Sequence, residues 1–141
     1  MNTKVNLKEL VKNCMGDLIA TNGLGVVEIS DNEVLLKSNT YAIDVFADRD
    51  GVSLVYFDRL VKPVKGYNIF LFLINKRRNL LTFSAQKPQV SCYAEFVESE
   101  VRSLAQHMRD AGRDLLTDSK EWVKSYSWPT ISLSESVAAM I

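Results

Sequence analysis

From Tyr41 to Asp58 apolar residues recur at every second position, and the rest of the chain is organised around this stretch. Tyr41, Ile43, Val45 and Ala47 share one parity. Beyond Asp48-Arg49-Asp50-Gly51, Val52, Leu54 and Tyr56 resume it. A period of two is that of a strand, and Gly51 can take the positive φ that closes a hairpin. A four-residue loop pairs Ala47 with Val52, Val45 with Leu54 and Ile43 with Tyr56. A two-residue Asp50-Gly51 turn shifts that pairing by two and keeps the same apolar face inward.

The flanking patterns supply what covers that face. Between Val5 and Ala20, Leu7, Leu10, Val11, Cys14, Met15, Leu18 and Ile19 form one stripe, which predicts an amphipathic helix stopped at Asn22-Gly23. Gly25–Ser30 and Glu33–Lys37 then read as short strands turning at Asp31-Asn32. With the hairpin they predict an antiparallel meander of about four to five strands. Its outer face carries Glu28, Asp44 and Ser53 but also Phe46, Val55 and Phe57, so it is covered in part or offered to a partner.

Residues 59–66 are a linker. The following YNIFLFLINKRR fits a buried strand or a helix. A helix over Tyr67–Arg78 is preferred, because Lys76, Arg77 and Arg78 then fall in its last turn, where the helix dipole favours cations. Leu80–Ser84 is a candidate last strand. From Val90, the positions Ala94, Val97, Val101, Leu104, Met108, Ala111 and Leu115 advance by three or four, the mark of a long helix that lids the sheet. Asp118–Glu121 resembles a capping box for a short helix through Trp122, Val123 and Tyr126, ended by Trp128-Pro129. The apolar tail from Ile131 to Ile141 is expected to dock. The fold class is therefore α+β, one domain over residues 1–141, with an N-terminal helix and a long C-terminal helix packed on the meander.

Charge changes this picture in one place. Residues 1–58 hold five basic and nine acidic residues, and residues 95–141 hold five and eight. Residues 59–94 hold seven basic ones (Arg59, Lys62, Lys65, Lys76, Arg77, Arg78 and Lys87) and no acidic one. Such a band serves an acidic partner or a phosphate backbone, or complements a helix end and the acidic flanks. No segment has the run of about 18 apolar residues that spans a bilayer. The polar MNTKVNLKEL start has no signal-peptide core, so a cytoplasmic protein is expected. Cys14 and Cys92, far apart in helical patterns, are expected to be buried free thiols.

Candidate chemistry is thin. The single histidine, His107, must serve any Ser-His-Asp or Cys-His arrangement, and a multi-histidine metal site is excluded. Its place beside the long helix's stripe predicts a boundary residue. Asp48-Arg49-Asp50-Gly51 fails as a calcium loop, because the alignment puts Phe46 and Phe57 where oxygen ligands are needed. Asp44, Asp48 and Asp58 are expected to be solvated strand carboxylates rather than an acid–base pair. Asn22-Gly23-Leu24-Gly25 is too short for a phosphate loop. No catalytic residue, metal or cofactor is assigned. Trp122, Tyr126 and Trp128, interleaved with Lys120, Lys124 and serines, fit either core packing or a partner-facing anchor patch.

The segment RDGVSLVYFD at 49–58, and the long helix running into AGRDLLTDSKEWVKSYSW at 111–128, resemble the small α+β immunity proteins encoded beside polymorphic or contact-dependent bacterial toxins. The resemblance covers about half the chain. It implies a non-enzymatic domain that occludes a cognate toxin, but it carries over no binding residues, since such families use divergent surfaces. The basic middle departs from the acidic character of immunity proteins that mask nucleases, which argues against a nuclease toxin. The partner-binding residues expected here are Trp122, Tyr126 and Trp128, with Lys76, Arg77 and Arg78 as a second patch. The alternative is a nucleic-acid-associated or regulatory protein using the basic band at 59–87.

Overall fold

A computed structural model describes residues 5–82 and 89–141. Helix α1 (Leu7–Asn22) starts where the Asn6 side chain accepts from the Glu9 N–H, and ends on Gly23 at φ 62°. The strands β1 (Gly25–Ser30), β2 (Glu33–Lys37), β3 (Tyr41–Asp48), β4 (Gly51–Asp58) and β5 (Gly66–Asn68) form one antiparallel sheet in chain order. Across β3 and β4, Ile43 faces Tyr56, Val45 faces Leu54 and Ala47 faces Val52, as the alternation predicts. Pairing runs on to Asp48 and Gly51, and Asp48 Oδ1 accepts from the Asp50 and Gly51 N–H groups to tighten the turn.

Two layers enclose the sheet. On the inner face, Val34, Leu36, Ile43, Val45, Leu54 and Tyr56 pack against α1, α2 (Ile69–Lys76) and α3 (Tyr93–Ala111). Helix α3 presents Val97, Val101, Leu104, Ala105, Met108 and Ala111, the expected stripe. It begins three residues later than the pattern suggests, leaving Val90 outside it and exposed, and Ala94 in its first turn is exposed as well. Arg109 ties it to α1 through Asp17 at 2.9 and 2.8 Å. On the outer face, Leu35, Ala42, Val55 and Phe57 are covered by Leu133, Val137 and Ile141, so the tail docks through α4 (Glu135–Ala138). Among the described residues, no helix is long and apolar enough to cross a membrane.

Several local expectations are corrected. Residues 67–78 are not one helix: Tyr67 and Asn68 complete β5, and the Asn68 side chain caps α2 through the Leu71 N–H at 3.0 Å. Arg78–Leu80 is a 3-10 turn rather than the start of a strand, and Phe83 and Ser84 of that proposed strand lie outside the described residues. The capping box at Asp118–Glu121 does not form. Glu121–Ser125 is a 3-10 helix without a side-chain cap, and Asp118 accepts from the Thr40 hydroxyl instead. Cys92 is exposed ahead of α3, and Cys14 is half-buried. Glu28 faces Val34 and so shares the inner face's parity at the edge of the sheet.

Candidate functional site

The C-terminal aromatics assemble at the β5 edge of the sheet. Gly66 permits this. A Cβ there would meet Phe57 Cε1 at 2.7 Å and the Ile131 carbonyl at 2.9 Å. Because the position is bare, Gly66 and Ile131 exchange two backbone hydrogen bonds of 2.8 Å, and the segment after Pro129 runs against β5. Tyr126 is fixed from the same strand, its hydroxyl accepting from the Asn68 N–H at 3.0 Å.

From that frame the rings form a continuous series. Tyr56 meets Trp122 edge-on at 5.0 Å, Tyr67 meets Tyr126 at 5.0 Å, and Tyr126 meets Trp128 at 5.2 Å. Trp122 is core: it is 3% exposed, wedged against Phe72 as well, and therefore not a surface anchor. Tyr126 and Trp128 are half-buried and present one flank outward.

Two of the cations join this series. Lys76 Nζ lies 5.9 Å from the centre of the Trp128 ring, so the aromatic and basic patches meet in one surface. Arg77 is turned inward to the fold. Its guanidinium stacks over Phe72 at 5.0 Å, grips both Asp114 oxygens at 2.5 and 2.9 Å, and donates to the Ala111 carbonyl at 2.7 Å. It fastens the end of α2 to the end of α3. Arg78 is exposed at the following turn.

Sequence reasoning missed a polar cluster at the other end of Tyr56. Lys120 donates to the Tyr56 hydroxyl at 2.7 Å and the Thr40 carbonyl at 3.0 Å, 3.5 Å from Asp58 Oδ1. Asp58 is 6% exposed rather than solvated. Burial and then the Asp58 charge push the Tyr56 hydroxyl well above its usual range, and burial raises Tyr41 to about 12. Both phenols therefore stay protonated and act as hydrogen-bonding struts. Lys37, Ser38, Asn39, Arg59 and Asp118 line an open groove of about 590 Å³ nearby.

His107 is buried at 5% exposure and stacks on Phe70 at 5.9 Å, with Ser103 Oγ 3.4 Å from its Nε2. Burial holds its pKa below the ordinary value. Asp44 departs further from expectation. It is 8% exposed, and burial, then the neighbouring Glu33 carboxyl, raises it to about 8. Val55 faces it through the hairpin register that the alternation predicts, whereas Leu35 faces it through the β2–β3 register, which the alternation in β3 and β4 alone does not specify.

Comparison with family models, with curated proteins and with solved structures finds no match to this chain.

Proposed function

We propose that the protein is a non-enzymatic, cytoplasmic binding module of the immunity type, which neutralises a cognate bacterial toxin by covering its active site. The observation that carries this reading is the joint surface of Trp128, Tyr126 and Lys76. Its rings are held edge to face, with Tyr126 bonded to the backbone of β5 and a cation standing over Trp128. Aromatic side chains fixed in this way lose little conformational freedom on binding, which is what an interface centre requires. Occlusion needs a contact of roughly 1,200–2,000 Å², built outward from such a centre. The exposed Ile131, bonded to Gly66 at the start of β5, lies at the same edge of the sheet.

The test is co-expression with the product of the adjacent gene. Growth should be rescued by the native chain and lost with Trp128→Ala, while circular dichroism shows that the variant remains folded. Rescue that survives Trp128→Ala and Lys76→Ala together removes this surface from the interface. A neighbouring gene product that is not toxic removes the immunity reading.

A further inference from the structure

The two ends of the sheet carry opposite charge. Because the strands are antiparallel and in chain order, the β1–β2 and β3–β4 turns lie at one end, and the β2–β3 and β4–β5 connections lie at the other. At the first end Asp31, Asp48 and Asp50 stand against Arg49, and hydrogen bonds of 2.9 Å between Asn32 and Ala47 hold the two turns together. At the second end Lys37, Arg59, Lys62 and Lys65 stand against Asp118. Asp58 and Lys120, also there, offset each other in their largely buried contact at 3.5 Å. The chain as a whole has no net charge, so the fold itself creates the separation.

The basic end is one connected surface. The Arg59 N–H donates to the Thr40 carbonyl at 3.0 Å and its guanidinium donates to the Ser38 carbonyl, which ties the β4–β5 connection to the β2–β3 turn. Lys37 and Arg59 both line the open groove of about 590 Å³ there. Beyond Arg59, Leu60, Val61, Lys62 and Pro63 are exposed in succession before Val64 returns to the outer apolar cluster. Leu60 is 65% exposed and Val61 47%, and the Leu60 N–H is fastened to Asp58 Oδ1 at 3.0 Å. Lys37, Lys62 and Lys65 make no ion pair among the described residues.

We propose that this end of the sheet docks on an anionic lipid bilayer, with Leu60 and Val61 entering the interface and Lys37, Arg59, Lys62 and Lys65 held at the lipid phosphates. A single exposed aliphatic residue is ordinary on a protein surface. Two adjacent ones, on a loop with three cations and no acid, match a bilayer interface, where aliphatic tips reach the acyl boundary and cations stay with the headgroups. This mode needs no spanning helix. Two aliphatic tips bury too little for a protein interface, whose centre is built of rings and arginines. A nucleic acid backbone gives them nothing to enter, and residues 59–65 hold no aromatic on which a base could stack. The acidic turns are repelled by the same membrane, so the charge separation orients the strands towards the bilayer. Neither Trp128 nor Lys76 is used, so the proposal stands apart from the immunity reading.

Cosedimentation of the full chain with vesicles tests this, using phosphatidylcholine alone and phosphatidylcholine with about one third phosphatidylserine. The chain should partition onto the anionic vesicles at low salt, should ignore the neutral ones, and should be released as salt screens the contact. Lys62→Ala combined with Lys65→Ala should lower the partition coefficient about thirtyfold, or about fivefold for each lysine. Leu60→Trp, at a position open to solvent, should carry an indole into the interface. Its emission should shift to the blue on anionic vesicles and be quenched by brominated acyl chains, beyond any change shown by the native chain with its two tryptophans. Circular dichroism checks that each variant is folded. No binding to anionic vesicles at low salt, equal binding to neutral ones, or binding indifferent to the lysine changes would each overturn the proposal. An introduced indole as exposed on the vesicle as in solution would do the same. Duplex DNA bound at equal salt through the same lysines would overturn it in favour of a nucleic-acid surface.

Discussion

Lys76 Nζ stands 5.9 Å from the centre of the Trp128 ring, which joins the last residue of α2 to the segment behind the final 3-10 helix. The two tryptophans therefore occupy different environments, Trp122 in the core and Trp128 at its rim. In Trp128→Phe the remaining Trp122 should emit at short wavelength and resist iodide quenching. In Trp122→Phe, Trp128 should emit further to the red and be quenched readily. Lys76→Ala should cost less than about 1 kcal/mol of stability, as an exposed cation–ring contact does. Equal quenching of both tryptophans would contradict the placement.

The hairpin sets a stability prediction. Leu54 is 2% exposed and faces Val45 across the sheet. Leu54→Ala should destabilise by about 2–5 kcal/mol, because the site lies between sheet and helices and collapses incompletely. Ser53→Ala, on the opposite parity and half-exposed, should stay within about 0.5 kcal/mol. Urea denaturation of both variants checks the parity, and comparable losses would show that the face assignment fails.

What was legible in the sequence follows from which interactions are local. The bounds of β1 and β2 and the pairing of Val45 with Leu54 rest on period-two alternation and turn residues, all close in the chain. The stripe from Val97 to Ala111 is equally local. Residues 67–78 were ambiguous because a continuous apolar run has no period. The outcome depended on Gly66 meeting Ile131 and on Asn68 capping α2, the first of which is a long-range contact. Trp122 could not be separated from Trp128 for the same reason. The rings of Tyr56 and Phe72, far off in sequence, make one core and leave the other at the rim. The Lys120 and Asp44 clusters likewise join residues from different strands and loops.

Arg109 and Asp17 clamp α3 to α1, and the pair has a defined pH window. The hydrogen bond from Arg109 is the main cause that holds the Asp17 carboxyl down at about 2, below the usual carboxylate range. A lowered pKa means that the unfolded chain binds the proton more tightly. The stabilisation is therefore complete above about pH 4 and lost as pH falls towards 2. Arg109→Met should lower the melting temperature at pH 7 and flatten its decline below pH 4. An unchanged acid limb would show that the exposed pair contributes nothing.

For the basic band the expected result is negative. The Arg77 charge is already engaged by both oxygens of Asp114. Neither single- nor double-stranded nucleic acid should bind detectably at low salt. Binding that weakens with a log–log salt slope near −0.9 per duplex phosphate contacted, and flattens in a Lys76, Arg77 and Arg78 triple-alanine variant, would instead support the nucleic-acid reading.

Asp44 gives the opposite pH dependence to Asp17. Burial first, and then Glu33, raise its pKa to about 8, against about 3.9 in an unfolded chain. Between those values the folded protein holds a proton that the unfolded chain has released, so stability should fall as pH rises from about 4 to about 8. The slope should be less than about 1.4 kcal/mol per pH unit, with Glu33 half-exposed. Asp44→Asn keeps the shape and removes the titration. Its stability should be flatter across this window, and above pH 8 it should exceed that of the native chain. Chemical denaturation from pH 5 to pH 9 reads both curves. A native curve that is level there, together with an asparagine variant less stable at every pH, would mean that Asp44 is ionised and well satisfied in the fold, and the strain assigned to this pair would not exist.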